Sequence, residues 1–262
     1  MRIVTFMAII LAFSFCIYRC IEELKGLPDD TIVRDKKIFI IGDSTVRYDY
    51  DEQRMGWGTP LVQEYMLHPE NGFNEARRGA TAESYRVMDE YTLKNKGTAY
   101  WEQTKKLIQS TPDHEGGYLL IQFGSNDNIA NVPQEQFVKA LKSYIDEAKT
   151  MQLIPVLISP PNTRLKINGK AYNNRGAFPQ YIETVAKAEQ VLYLNLHRKS
   201  LEMFSPLTES ELADQFGAVP FPEDGRLDTT HFNPQGAKVV AGWVKELVCE
   251  QDRVLCAQFR KN

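Results

Sequence analysis

The sequence predicts an α/β protein in which a central, mainly parallel sheet is covered by helices on both faces. Short apolar runs, many of them rich in β-branched residues, alternate with longer amphipathic segments along the chain. Runs that are apolar on both faces are typical of parallel strands buried from both sides. Strands that alternate with helices favour a three-layer α/β/α sandwich, and 262 residues suffice for one large domain of this kind.

The individual elements follow from local patterns. Four apolar runs predict strands, namely KIFIIG at 37–42, YLLIQFG at 118–124, LIPVLIS at 153–159 and VLYLNL at 191–196. Three amphipathic runs predict helices at 133–151, 177–190 and 233–250, and the last of these opens with an Asn cap followed by a proline. The stretch 205–225 is rich in Pro, Gly and acidic residues and predicts a long loop with one helical turn at most.

The first 20 residues predict a signal for export. Arg2 precedes an apolar run that reaches Tyr18, and this run is short for a bilayer span of about 20 residues. No small-x-small cleavage site follows, so a retained anchor is the second interpretation and lipidation at Cys16 or Cys20 the third. Residues 21–262 form one predicted domain. We expect a secreted or periplasmic monomer that meets a membrane only if the N-terminal segment is retained.

Charge and cysteine content exclude some classes of protein. The formal net charge of −3 gives no reason to expect a nucleic-acid partner. Four cysteines are too few for a disulfide scaffold, and they form no metal signature. Cys249 and Cys256 lie seven residues apart, and in an exported protein they either pair with each other or remain free thiols.

A candidate nucleophile follows the first predicted strand. The stretch IIGDSTV at 40–46 ends an apolar run at Gly42 and then presents Ser44, off the carboxyl end of a strand, where sites of parallel sheets lie. A serine hydroxyl needs a base within hydrogen-bond reach. Asp228 precedes His231 by three residues, a spacing that lets the carboxylate hold Nδ1 while Nε2 accepts the serine proton. His197 is the rival base, but it lacks a nearby carboxylate in the sequence.

Acyl transfer also requires hydrogen-bond donors for an oxyanion. Asn126, in QFGSNDN after the second predicted strand, offers a side-chain NH2 group. Gly79, in NEARRGATAES, offers a sterically open backbone amide. Together with the amide of Ser44 these groups predict an oxyanion hole with three donors.

These motifs resemble those of the SGNH, or GDSL-like, hydrolases. The corresponding blocks are Gly42-Asp43-Ser44, the isolated Gly79, Gly124-Ser125-Asn126-Asp127 and Asp228-Thr229-Thr230-His231. The rhamnogalacturonan acetylesterase branch is the most similar, through GDSTV, RMGWGTPL, NEARRGATAESY, QFGSNDN, SPPNTR and DTTHFNPQGA. The resemblance covers residues 36 to 247.

The resemblance implies a flavodoxin-like SGNH hydrolase fold and an ester hydrolase that needs no metal and no cofactor. Ser44 is then the nucleophile, His231 the general base and Asp228 the acid that orients it, while Gly79 and Asn126 complete the oxyanion hole. The implied reaction removes acetyl groups from pectic rhamnogalacturonan. Xylan or another acetylated glycan, and short-chain lipase or thioesterase activity, are the alternatives within the same fold.

Substrate contacts are predicted from side chains close to the nucleophile. Aromatic residues, Tyr48, Tyr50 and Trp57 among them, are candidates for stacking on sugar rings or for ordinary core packing. Arginines flank the first two motifs and are candidates for binding uronate carboxylates, or for solvated surface charge: Arg47, Arg54, Arg77, Arg78 and Arg86.

Two other classes of function use the same residues. A metal-assisted phosphoesterase would employ Asp43, Asp127, Asp228 and His231 as ligands, but it would leave Ser44 without a task. A carbohydrate-binding protein without catalysis would have no need for the complete set of five catalytic and oxyanion residues. The sequence therefore favours the esterase.

Overall fold

The computed structural model describes residues 33–47, 52–87, 99–217, 220–221 and 225–261. Seven strands occur in them, listed here in chain order: β1 Ile38–Gly42, β2 Gly72–Asn74, β3 Tyr118–Gln122, β4 Ile154–Ile158, β5 Lys166–Ile167, β6 Lys170–Ala171 and β7 Leu192–Leu194. Five of them form one sheet in the order β2-β1-β3-β4-β7, and every neighbouring pair is parallel. Strands β5 and β6 form a separate antiparallel hairpin.

Helices flank both faces of the sheet. In chain order they are α1 Gly58–Pro60, α2 Ser84–Val87, α3 Tyr100–Ser110, α4 Ser125–Ile129, α5 Gln134–Thr150, α6 Phe178–Glu189, α7 Leu196–Phe204, α8 Glu209–Phe216, α9 Pro234–Gln251 and α10 Arg253–Cys256. A π-helical segment, Leu61–Tyr65, continues α1, and a 3₁₀ turn spans Pro69–Asn71. The predicted three-layer α/β/α fold is confirmed.

The alternation of side chains along each strand explains the two layers. In β1, Ile38 and Ile40 pack on one face with α7, α8 and α9, whereas Phe39 and Ile41 pack on the other face with α3, α5 and α6. All four side chains are completely buried. Burial of apolar surface stabilises a fold by about 25 cal/mol per Å². These two cores are therefore the main stabilising contribution to the folded state.

The structure contains elements that the sequence did not predict, and strand β2 and helix α3 are the main examples outside the long stretch at 205–225. The stretch predicted as a long loop contains α8, a helix of eight residues. Thr208 and Glu211 form a capping box at its start: Glu211 donates its amide to Thr208 Oγ1 over 3.2 Å, and Thr208 donates its amide to Glu211 Oε2 over 2.7 Å.

The C-terminal cysteines are joined. Cys249 in α9 and Cys256 in α10 form a disulfide across Cα atoms 4.6 Å apart, which selects pairing over free thiols. In the ranges given above, no helix combines the length and the apolar character needed to cross a bilayer. The export signal predicted at 1–20 lies outside those ranges.

Candidate active site

The candidate nucleophile stands in a tight turn at the carboxyl edge of the sheet. Gly42 ends β1, and a Cβ atom there would lie 2.6 Å from the Gln122 carbonyl oxygen and 2.6 Å from Val46 Cγ2. Glycine is therefore required by the close approach of β3 and of the turn itself. The chain can then fold back over the end of β1 and carry Ser44 above it.

Asp43 organises this turn. Its carboxylate accepts hydrogen bonds from the amide of Thr45 at 2.8 Å and from the Thr45 hydroxyl at 2.7 Å. Its carbonyl oxygen accepts from the amides of Val46 and Arg47 at 3.1 and 3.2 Å. In the described part of the chain the amide of Ser44 has no such partner, so it is available to a substrate atom.

A buried polar network supports the turn from below. The amide group of Gln122 donates to Thr45 Oγ1 over 2.9 Å, and Gln122 Oε1 accepts from the indole nitrogen of Trp57 at 2.8 Å. Gln122 is fully buried at the end of β3. Because an unpaired polar group at this depth would be costly, the network favours one geometry for the turn that carries Ser44.

Three side chains form a continuous hydrogen-bonded chain. Ser44 Oγ lies 2.9 Å from His231 Nε2, and His231 Nδ1 lies 2.9 Å from Asp228 Oδ2. Ser44 follows β1, whereas Asp228 and His231 precede α9, whose first turn is capped by Asn233. This geometry allows the imidazole to remove a proton from the serine hydroxyl while the carboxylate fixes its tautomer.

Asp228 is held as an anion. Its Oδ1 accepts from the amides of Thr230 and His231 at 3.0 and 2.9 Å, and its Oδ2 also accepts from Arg54 Nε at 2.9 Å. Burial alone would raise the pKa of Asp228, but the hydrogen bonds and charge of His231, together with Arg54, outweigh burial and hold this pKa well below its usual range.

The predicted oxyanion donors Gly79 and Asn126 come from two separate segments of the chain. Asn126 lies in α4, directly after β3, and donates one N–H to the Ala80 carbonyl oxygen over 3.0 Å. The side-chain amide has a second N–H to offer. Gly79 has a φ of +75°, which favours glycine, and a Cβ there would meet nothing within 4 Å. Its surroundings are therefore open on that side.

Asp127 links the two segments that carry Gly79 and Asn126. It is fully buried, and its two carboxylate oxygens accept the amides of Ala82 and Gly124, each at 2.9 Å. Burial raises the pKa of Asp127 to about 6, against the opposing effect of the two amides and with a further increase from the charge of Asp43. The sequence predicted no role for this residue in the esterase, although it lies in the motif Gly124-Ser125-Asn126-Asp127.

The predicted substrate contacts of Trp57 and Arg54 require correction. Trp57 is 0% exposed, and its indole nitrogen is bound to Gln122. Arg54 is 4% exposed, and its guanidinium is paired with Asp228. Side chains this deeply buried cannot stack on sugar rings or bind uronates, so both support the site from within. Tyr48 and Tyr50 lie outside the described residues.

The other arginines near the motifs are also engaged within the protein. Arg77 pairs with Glu75 at 3.1 Å, and Arg86 pairs with Glu147. Arg47 donates to the Asn74 carbonyl oxygen. Arg78, beside Gly79, is exposed. Arg47, Arg77 and Arg86 therefore each have a partner within the protein.

The remaining histidines lie away from this chain of contacts. His197, the rival base, lies in α7 with Nε2 bonded to Asn173 Oδ1 at 3.1 Å, and burial together with the charge of Arg175 lowers its pKa to about 4. His68 is exposed and pairs with Glu70. Among the described residues no group of three or more His, Cys, Asp or Glu side chains is arranged to hold a metal ion.

The structure is a parallel α/β/α sandwich with the side chains of Ser44, His231 and Asp228 at the carboxyl edge of its sheet, where the sites of such sheets lie. A family model described as GDSL-like lipase/acylhydrolase matches residues 38–244, and the chain belongs to this family. It is accordingly a carboxylic ester hydrolase.

Curated relatives agree with this assignment, and solved structures share the fold. The chain is 30% identical over 224 residues to the rhamnogalacturonan acetylesterase RhgT of Bacillus subtilis, covering 80% of this chain and 88% of that protein. It is 29% identical to the probable rhamnogalacturonan acetylesterase YesY of the same organism, covering 80% and 93%. The structure of YxiM from Bacillus subtilis superposes with a TM-score of 0.65 at 20% identity, and the match covers 87% of this chain and 59% of that longer one. A catalytic mutant of Axe2, an acetylxylan esterase of Geobacillus stearothermophilus, superposes with a TM-score of 0.55 at 16% identity, covering 81% and 94%.

Proposed function

We propose that the protein is a carbohydrate O-acetylesterase that removes acetyl groups from pectic rhamnogalacturonan. The observation that carries the catalytic part is the hydrogen-bonded chain from Ser44 through His231 to Asp228, with 2.9 Å at each contact. The observation that favours the substrate is the similarity to RhgT and YesY over 80% of the chain.

In the first step Ser44 Oγ attacks the carbonyl carbon of the acetyl group, and its proton passes to His231 Nε2. The resulting tetrahedral intermediate carries a negative charge on the former carbonyl oxygen. The Ser44 amide, the Gly79 amide and the Asn126 side chain donate hydrogen bonds to that oxygen. Donors fixed in place before the reaction stabilise this charge without reorganising, and removal of one such donor typically slows turnover by about 10²–10³-fold.

The intermediate then collapses and the sugar hydroxyl leaves with the proton held by His231. Ser44 remains acetylated. In the second step a water molecule gives a proton to His231 and attacks the acetyl-enzyme, which releases acetate and returns the proton to Ser44. Asp228 stays ionised throughout and stabilises the imidazolium that forms twice in each cycle. Its strongly depressed pKa suits this role.

We further propose that the enzyme is exported and acts as a monomer on polysaccharide outside the cytoplasm. The Arg2-led apolar N-terminus supports export. Rhamnogalacturonan is a large polymer, and an exported esterase would meet it directly.

The test is acetate release from three substrates at equal acetyl concentration: acetylated rhamnogalacturonan, acetylated xylan and a long-chain fatty ester. We expect kcat/KM to be highest for acetylated rhamnogalacturonan. Higher kcat/KM on xylan would reassign the glycan, and preference for the long-chain ester would replace the acetylesterase with a lipase. The Ser44→Ala variant is the matched control in every arm, because it removes one oxygen and leaves the rest of the site in place.

A further inference from the structure

We infer that Arg54 is a positioning residue that keeps Asp228 aimed at His231 and partly offsets the negative charge of that carboxylate. This inference rests on the proposed Ser44–His231–Asp228 mechanism and adds a fourth residue to it. The guanidinium does not touch the substrate in this account. It acts through the carboxylate and through Phe221, whose ring lies beside the imidazole.

The contact with the carboxylate is direct and buried. Arg54 Nε lies 2.9 Å from Asp228 Oδ2, and the two side chains are 4% and 0% exposed. The same oxygen accepts from His231 Nδ1, while Oδ1 accepts the amides of Thr230 and His231. Arg54 and His231 therefore fix the direction of Oδ2 from two sides, which holds the carboxylate rotamer that the imidazole requires.

Three other charged or titratable groups face this pair. Arg164 donates from Nη2 to the backbone carbonyl oxygen of Asp228, and its guanidinium lies over the Phe232 ring. His231 faces Asp228 Oδ2 directly. Arg226 lies over the ring of Phe221, with its Cζ 5.1 Å from the ring centre. Arg54 contacts the carboxylate itself.

Arg54 also supports the aromatic side chain beside the imidazole. Its Nη2 reaches the Pro220 carbonyl oxygen at 3.4 Å, and its Cζ lies 5.1 Å from the centre of the Phe221 ring. That ring stands edge-on to the His231 imidazole, with centroids 6.1 Å apart and planes at 83°. One arginine thus links the catalytic carboxylate to the aromatic ring that lies beside the imidazole.

Charge and geometry are separable at this position. A glutamine keeps part of the hydrogen bonding but removes the cation, whereas a lysine keeps the cation but loses the planar fork. Without a cation beside Asp228, the full negative charge acts on the imidazole and favours its protonated, inactive form. Loss of the fork alone loosens the carboxylate without changing the charge balance.

The experiment measures the pH profile of kcat/KM with 4-nitrophenyl acetate for the wild type, Arg54→Gln and Arg54→Lys. We expect Arg54→Gln to lower kcat by about tenfold or more, with KM nearly unchanged, and to move the acid limb upward by roughly one pH unit. We expect Arg54→Lys to restore the wild-type acid limb while kcat stays several-fold low. Arg86→Gln, which removes a partly buried arginine–glutamate pair outside the site, is the matched control and should leave the limb unchanged.

A merely structural Arg54 would lower the melting temperature of Arg54→Gln and leave the acid limb where it is, and that result would overturn the inference. If circular dichroism shows that Arg54→Gln is unfolded, Arg54→Lys decides alone, because a wild-type kcat for it would also overturn the inference. Failure of the proposed function looks different: the wild type would not hydrolyse the acetate ester, or Ser44→Ala would hydrolyse it normally.

Discussion

Replacing Asp127 with asparagine tests how strongly the fold opposes a buried charge beneath the candidate oxyanion hole. The carboxylate is fully buried and accepts the amides of Ala82 and Gly124, each at 2.9 Å. Asparagine has nearly the same shape, carries no charge and has one acceptor oxygen instead of two. The variant therefore loses one buried hydrogen bond at any pH, and it also loses the titration of the carboxyl group.

The pH dependence of the effect follows from the pKa. Burial raises the pKa of Asp127 from its ordinary 3.8 to about 6. The folded protein therefore binds this proton more tightly than the unfolded chain does, so wild-type stability falls as pH rises from about 4 through 6. Between pH 5 and pH 8 the two values give a loss on the order of 1 kcal/mol from this group. Asp127→Asn does not titrate and escapes that loss.

The assay is urea unfolding of the wild type and Asp127→Asn at pH 5 and pH 8. We expect the variant to be less stable than the wild type by a margin that is on the order of 1 kcal/mol smaller at pH 8 than at pH 5. The matched control is Asp146→Asn, at an exposed position of α5, for which the margin should be near zero at both values. A margin that stays constant, or that grows towards pH 8, would refute the account of Asp127.

Two further predictions concern the donor side chain and the disulfide. Asn126→Ala should lower kcat by roughly a hundredfold with little change in KM, since an oxyanion donor acts mainly in the transition state. Steady-state kinetics on an aryl acetate measure both constants. A raised KM at constant kcat would instead indicate a role in substrate binding. Reducing the Cys249–Cys256 bond, whose partners are seven residues apart, should lower the unfolding free energy by at most about 2.5 kcal/mol. Reduction should leave kcat unchanged, because α9 begins beside His231 and is 18 residues long, so the disulfide near its other end lies about 25 Å from the site. A loss of activity before unfolding would contradict this expectation.

The sequence predicted the central strands because their side chains are apolar on both faces. Strand β4, for example, was expected at 153–159 and spans Ile154–Ile158. The edge strand Gly72–Asn74 escaped prediction because three residues with a single large apolar side chain carry no periodic signal. Helix α8 was missed because Pro and Gly around it dominated the composition, although Thr208 and Glu211 have the spacing of a capping box.

The sequence predicted the residues of the candidate site more completely than the buried residues that hold them in place. The Asp-x-x-His spacing and the position of Ser44 after a strand were enough to expect the contacts that the structure brings together. The burial of Arg54 could not be foreseen, because its partner Asp228 lies 174 residues away in sequence and arginines are mostly exposed. The support that Trp57 gives to Gln122 likewise depends on a contact between distant segments.

The central claim is that Ser44 is the nucleophile of an acetylesterase. The most direct test compares acetate release from acetylated rhamnogalacturonan by the wild type and by Ser44→Ala, with circular dichroism to confirm that both are folded. We predict that turnover falls by about three or more orders of magnitude in the variant, as is typical when a triad member is lost. A folded Ser44→Ala variant whose turnover stays within about tenfold of the wild type would contradict the claim.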